Sequence, residues 1–188
     1  MESFDANDEK LSRRGVLGGG IPLGIALAMG SGGISELAVA ANSPSRGRVS
    51  AEDRLDIMEL FARYSWNYDC GDAEGAASTF TPDAVIEAFG AEAARGRSAI
   101  VAFIKSLYAS ERGDVDWQHY NGHFIFDGNA HACTVYCYWG LLQGNAATKQ
   151  YGVRSFGYYQ NECVKTEGAW LIAKRSINRW NRNKLPWK

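Results

Sequence analysis

Three histidines, His119, His123 and His131, are the residues of this chain best suited to moving a proton at neutral pH. Imidazole is the one unperturbed side chain that titrates there. In the run Trp117-Gln118-His119-Tyr120-Asn121-Gly122-His123, the two-residue period of a strand puts His119, Asn121 and His123 on one face. If that face lines a cavity, a base and an amide point at a ligand. A carboxylate bonded to one ring nitrogen would fix the tautomer, leave the other nitrogen basic and stabilise the imidazolium once formed. Asp69 is a candidate for that carboxylate. It ends a segment whose apolar positions Leu55, Met58, Phe61, Tyr64 and Tyr68 recur with helical spacing. Gly71 supplies the helix stop. Asp69 therefore occupies the last turn, where an anion meets the negative end of the helix dipole at a cost of about 0.3–1 kcal/mol. A residue set against its local rule asks for a reason elsewhere in the fold. Gripping an imidazole is one reason, and service as an ordinary turn residue is the other.

Around this pair, a hydroxyl from Tyr68 or Tyr64, or the cation of Arg175, would assist a leaving group or a developing oxyanion. The tyrosines fit equally a core stripe on the helix, and the arginine a structural ion pair. His131 follows a turn and is expected to be exposed. His119 and His123 would stand about 13 Å apart along a strand, too far to share a metal ion. The chemistry expected is cofactor-independent and metal-free.

The elements that must position these groups change character along the chain. Ala51–Cys70 reads as a helix, and Asp72–Thr79 as a short second one capped by Asp72. Thr81-Pro82-Asp83 reads as a turn, Ala84–Phe89 as a short strand and Arg95-Gly96-Arg97 as a loop. Ser98 is the expected cap of a third helix, Ala99–Ala109. Trp117–Phe126, Ala130–Leu142, Tyr151–Lys165 and Trp170–Trp180 are rich in β-branched and aromatic residues and read as strands. Asp127-Gly128-Asn129 and Glu167-Gly168 are their hairpin connections. Helices first and an antiparallel sheet afterwards make an α+β domain, with three helices closing one face of a curved sheet into a cone with a pocket inside.

Residues 1–40 precede that domain. Ser12-Arg13-Arg14-Gly15-Val16-Leu17 is a twin-arginine pattern, Gly18 to Gly33 is apolar and glycine-rich, and Ala38-Val39-Ala40 offers small residues for cleavage. The apolar run is short and rich in glycine, whereas a membrane span needs about 20 apolar residues. The expectation is a removed leader, a periplasmic protein, no stable membrane anchor, a linker over 41–50 and one domain over 51–188. With 20 basic against 21 acidic residues, no nucleic-acid surface is indicated. Six Trp and nine Tyr suit a pocket for a flat apolar molecule. Cys133 and Cys137, four apart in one strand, cannot bridge each other. Either can meet Cys163 on a neighbouring strand, and free buried thiols are the alternative.

The layout resembles the SnoaL-like branch of the NTF2-like superfamily, a cone-shaped α+β fold. The resemblance is carried by Met58-Glu59-Leu60-Phe61-Ala62-Arg63-Tyr64, Tyr68-Asp69-Cys70-Gly71-Asp72, Phe80-Thr81-Pro82-Asp83-Ala84, Gly96-Arg97-Ser98-Ala99-Ile100, Gly122-His123-Phe124-Ile125-Phe126-Asp127-Gly128 and Gly168-Ala169-Trp170-Leu171-Ile172-Ala173-Lys174-Arg175. Tyr68-Asp69 and Gln118-His119 are similar to pairs in scytalone dehydratase-type lyases. Arg175 is similar in position to an arginine of hexachlorocyclohexane dehydrochlorinase-type lyases. The resemblance implies a dyad of Asp69 and His119; together with the reading of the residues above, the expected catalytic set is His119, Asp69, Tyr68 and Arg175, with Tyr64, Asn121, His123 and Tyr138 expected around the substrate. Two departures bear on substrate. Tyr136-Cys137-Tyr138-Trp139-Gly140 lacks the dehydratases' second histidine, and Tyr64 stands where the dehydrochlorinases have a lysine. The implied activity is elimination from a small aromatic or alicyclic alcohol, by loss of water or by carbon–carbon cleavage releasing a small aldehyde. An isomerase, a polyketide-cyclase-type enzyme and a non-catalytic subunit similar to the small subunit of ring-hydroxylating dioxygenases are the alternatives. A homo-oligomer, dimer or trimer, is expected.

Overall fold

The computed structural model describes residues 48–113 and 115–187. The predicted leader, and the linker as far as residue 47, lie outside the described residues. Helix α1 (Ala51–Asp69) opens on Ser50, whose hydroxyl oxygen accepts from Asp53 N–H, with Glu52 and Asp53 in the positive first turn. Its buried face is Ile57, Leu60, Phe61, Tyr64 and Tyr68. The stripe expected from spacing began instead with Leu55 and Met58, which are 66% and 39% exposed. From Phe61 the helical period permits a step back of three or of four residues, and packing selects four. The helix stops as expected at Gly71, whose φ is +86°. Asp72 then caps α2 (Ala73–Ser78) by accepting from Gly75 N–H at 2.8 Å.

Six strands follow: β1 (Phe80–Ala88), β2 (Ala91–Arg95), β3 (Asp116–Gly128), β4 (Ala132–Asn145), β5 (Gln150–Thr166) and β6 (Ala169–Arg179), with α3 (Arg97–Leu107) between β2 and β3. They form one sheet in the order β2-β1-β6-β5-β4-β3, antiparallel except for β1 beside β6. The architecture is thus α+β with an open curved sheet. Three local readings are corrected. Thr81-Pro82-Asp83 lies within β1, as an irregularity between Phe80 and Val85 in the register with β6. Ala91–Arg95 is a strand because Phe89 and Gly90, both at positive φ, turn the chain back on β1. Gly96, not Ser98, precedes α3, and it makes no side-chain cap.

The core is held at one end by a buried carboxylate. Asp53 accepts from Ser50 Oγ at 2.8 Å, Lys165 Nζ at 2.8 Å and Trp170 Nε1 at 2.9 Å. These bonds tie the start of α1 to the β5–β6 hairpin and draw the Asp53 pKa down to about 2. Cys133 faces Cys163 across β4 and β5, while Cys137 faces Tyr159, and all four thiols are free.

Candidate active site

The strand β3 lies at the edge of the sheet, so its outward backbone N–H groups have no neighbouring strand. The C-terminal turn of α1 comes to that edge and supplies a partner. Asp69 Oδ2 accepts the backbone N–H of His119 at 2.7 Å, and Asp69 Oδ1 lies 2.6 Å from His119 Nδ1. One carboxylate therefore grips both the backbone and the ring of the same residue. That fixes the ring orientation and favours the tautomer with the proton on Nδ1, leaving Nε2 as the basic nitrogen. The Tyr68 ring packs edge-on against the imidazole at 4.7 Å. The side chains of His119 and Asp69 are 9% and 14% exposed.

The dipole penalty expected at Asp69 is met by two residues that sequence reasoning missed. After α3 the chain runs through a π-helical turn, Tyr108–Arg112. Tyr108 Oη donates to the Tyr68 carbonyl and Arg112 Nη2 to the Asp69 carbonyl, both at 2.7 Å. A cation and a hydroxyl donor thus sit on the last carbonyls of the helix, the Tyr68 carbonyl also accepting from Gly71 N–H at 3.1 Å.

His119 and Asp69 line a cavity of about 700 Å³, open on one side. Its walls include Ser65, Trp66, Trp117, Leu142, Tyr151 and Val153. The signal for some of these was present in the sequence. Trp66 is an aromatic off the core stripe of α1 and is 70% exposed, and Tyr151 is 73% exposed at the start of its strand. Large apolar groups held in water next to a base mark a binding mouth.

The other expected site residues are placed elsewhere. Tyr64 and Tyr68 are buried in the core stripe, and burial raises the Tyr64 pKa, which keeps that phenol protonated. Asn121 lies on the inner face and donates from Nδ2 to Ser65 Oγ at 2.7 Å. Arg175 is fully buried and makes neither the ion pair nor a cavity wall. Its Nε donates to Asn161 Oδ1 at 2.7 Å, and its guanidinium lies 4.1 Å from the Tyr64 ring centroid and 4.5 Å from that of Tyr159. Nη1 and Nη2 have no hydrogen-bond partner among the described residues.

His123 and Tyr138 are corrected outright. Gly122 pairs with Tyr138 but Ile125 pairs with Tyr136, so β3 carries one extra residue at that point. This β-bulge, with His123 at φ +57°, breaks the alternation. His123 points outward and rests on Tyr138, ring to ring at 5.0 Å, while Phe124 and Phe126 take the inward positions. His131 is exposed, as expected.

The profile of the SnoaL-like domain family matches residues 49–176, and the chain belongs to that family. Its superfamily includes dehydratases, cyclases and isomerases. The chain is similar in structure to Rv3472 of Mycobacterium tuberculosis, a protein of unknown function, at 27% identity and a TM-score of 0.60, over 68% of this chain and 71% of that one. A Nostoc punctiforme protein of unknown function with a cystatin-like fold matches at 23% identity and a TM-score of 0.62, over 75% of this chain and 99% of that one. A Novosphingobium aromaticivorans protein provisionally named a scytalone dehydratase matches at 20% identity and a TM-score of 0.56, over 66% of this chain and 82% of that one. The second and third likenesses speak to fold alone. No curated protein sequence matches the chain.

Proposed function

We propose that this protein is a cofactor-independent lyase acting on a small aromatic or alicyclic alcohol. The observation that carries this reading is the double grip of Asp69 on His119 at the wall of a mainly apolar cavity. In the reaction, His119 Nε2 removes a proton from carbon next to the carbinol carbon, and the electron pair forms the double bond. The carbon–oxygen bond breaks, and the imidazolium returns its proton to the departing hydroxide, which leaves as water. Asp69 holds the imidazolium throughout and stays ionised. General acid–base catalysis of this kind contributes about 10²–10⁴-fold. In a carbon–carbon cleavage the same base takes the alcohol O–H proton, the oxygen pair forms the aldehyde C=O, the carbon–carbon pair leaves on a departing carbon next to an electron-withdrawing group, and the imidazolium returns its proton to that carbon. Tyr68 orders the base by packing on it, whereas Arg175, fully buried and outside the lining of this cavity, is given no contact with the substrate.

The test is a panel of aromatic and alicyclic alcohols incubated with the purified protein, with products weighed by mass spectrometry. Loss of one water, or release of an aldehyde, supports the lyase, and a product of unchanged mass means an isomerase instead. His119→Ala should abolish turnover while keeping the melting transition; retained turnover ends the proposal. From the twin-arginine pattern at Ser12-Arg13-Arg14-Gly15-Val16-Leu17 we also propose export to the periplasm, so blocking that route should strand the precursor in the cytoplasm.

A further inference from the structure

We infer that the C-terminal segment forms, on the face of the sheet opposite the dyad, a second binding site for a planar aromatic carboxylate. After Arg179 the chain crosses the outer face of the sheet and is pinned at two points. Trp180 stands edge-on to Tyr138 at 5.1 Å, and Trp187 meets Tyr136 at 6.0 Å. Between the pins a cavity of about 370 Å³ remains, floored by Tyr136, Tyr138 and Tyr158 and roofed by Lys184 to Trp187. That volume lies at the small end of the range of about 300–1,000 Å³ for ligand pockets and suits a two-ring molecule. Aromatic walls prefer an aromatic guest in offset or edge-on contact.

Two further observations specify the charge of the guest. The bulge in β3 takes His123 out of the inner face and sets its ring at this cavity, at the cost of a left-handed backbone. Among the described residues that imidazole makes no hydrogen bond, so it can donate to a ligand oxygen. Lys184 lines the same cavity, and an adjoining hollow that shares Tyr158, Trp180 and Lys184 adds Arg179 and Arg182. Among the described residues no Asp or Glu lines either one, and Asp127, further along β3, is outside both. A flat ring between tyrosines and tryptophans, with its carboxylate toward Lys184 and His123, meets the aromatic walls and the donors of this cavity, while Arg179 and Arg182 next door add to the positive field.

The experiment titrates the whole chain with 2-naphthoate and with its neutral analogue 2-naphthalenemethanol, read by calorimetry and tryptophan fluorescence. The naphthoate should bind about tenfold more tightly than the alcohol, and Lys184→Glu, an exposed change that leaves the fold alone, should weaken it about tenfold. A chain ending at Arg179 should lose the site and retain its melting transition, and His119→Ala should leave naphthoate binding unchanged. Equal affinity for acid and alcohol overturns the inference. So does naphthoate binding that survives the truncation or falls in His119→Ala. If sedimentation instead shows a dimer that dissociates on truncation and takes up no naphthoate, a second copy of the chain covers the face and the inference fails. Because the site is remote from His119, none of these outcomes depends on the lyase reading.

Discussion

Replacing Asp69 by Asn tests the chemistry with the least change of shape. The carboxylate accepts two bonds, one from the His119 backbone N–H at 2.7 Å and one from its ring nitrogen at 2.6 Å. An amide of the same size has one acceptor oxygen and one N–H₂ group. If the oxygen keeps the backbone bond, the amide nitrogen faces Nδ1 and donates to it. The proton of the neutral ring then moves to Nε2, which can no longer act as a base. The equivalent substitution in hydrolase triads lowers kcat by about 10⁴, which corresponds to a barrier raised by about 5.5 kcal/mol. If the oxygen turns to the ring instead, the edge N–H of β3 loses its partner at a cost of about 1–3 kcal/mol in stability. Either branch is measurable. The assay is kcat and KM on the substrate that the alcohol panel identifies. Nitrogen-15 shifts of the His119 ring report the tautomer, and thermal melting reports stability. We expect kcat to fall by about three to four orders of magnitude with KM little changed, and the protonated ring nitrogen to move from Nδ1 to Nε2. Retention of more than about a tenth of kcat, with the ring still protonated at Nδ1, would show that the carboxylate does not set the tautomer, and the mechanism would fall with it.

Asp53 predicts an acid limb of stability. Its folded pKa of about 2 lies below the ordinary carboxylate value, so its contribution is present above about pH 4 and is lost as pH falls from there through 2. That contribution is about 2 kcal/mol, and the stability gap between wild type and Asp53→Asn in urea titrations should close as pH drops from 6 toward 2. Arg175→Met separates chemistry from packing. It replaces a buried guanidinium that has two unpartnered nitrogens with an apolar chain among the same rings. Stability should hold or rise by up to about 4 kcal/mol, and kcat should change little, since Arg175 does not line the cavity; a drop of about 10²–10³-fold would show that the cation reaches a developing oxyanion after all. Unchanged kcat would assign Arg175 to the core.

The sequence was most legible where local rules and chemistry agreed. The end of α1 could be read because Gly71 stops the helix and Asp69 breaks the dipole rule there, and both signals are confined to five residues. The β3–β4 and β5–β6 pairings could be read because long runs of β-branched and aromatic residues are divided by the polar turns Asp127-Gly128-Asn129 and Glu167-Gly168. The support for Asp69 could not, since Tyr108 and Arg112 reach the helix end through a π-helical turn and across about forty residues of chain. The strand Ala91–Arg95 could not either. Its composition favours a helix, and only the turn at Phe89-Gly90 and its pairing with β1 make it a strand. Arg175 was read as reactive or ion-paired, but a cage of four aromatic rings gathered from α1, β1 and β5 leaves no trace in local spacing.

The most instructive error concerns His123, because the same feature explains the division of labour in β3. Strict alternation would have put two imidazoles on the inner face, both close to the Tyr64–Tyr68 stripe. Gly122 in mid-strand is the sequence signal of a bulge, and the one extra residue inverts everything after it. Before the bulge the odd-numbered residues Trp117, His119 and Asn121 face α1. After it Phe124 and Phe126 do so and pack against the core, which closes the far end of the inner face with apolar side chains. A single imidazole is left for Asp69, with no second base to compete for its proton. The bulge thus has two effects from one backbone irregularity: it isolates the dyad on the inside, and it supplies a histidine to the aromatic outer face.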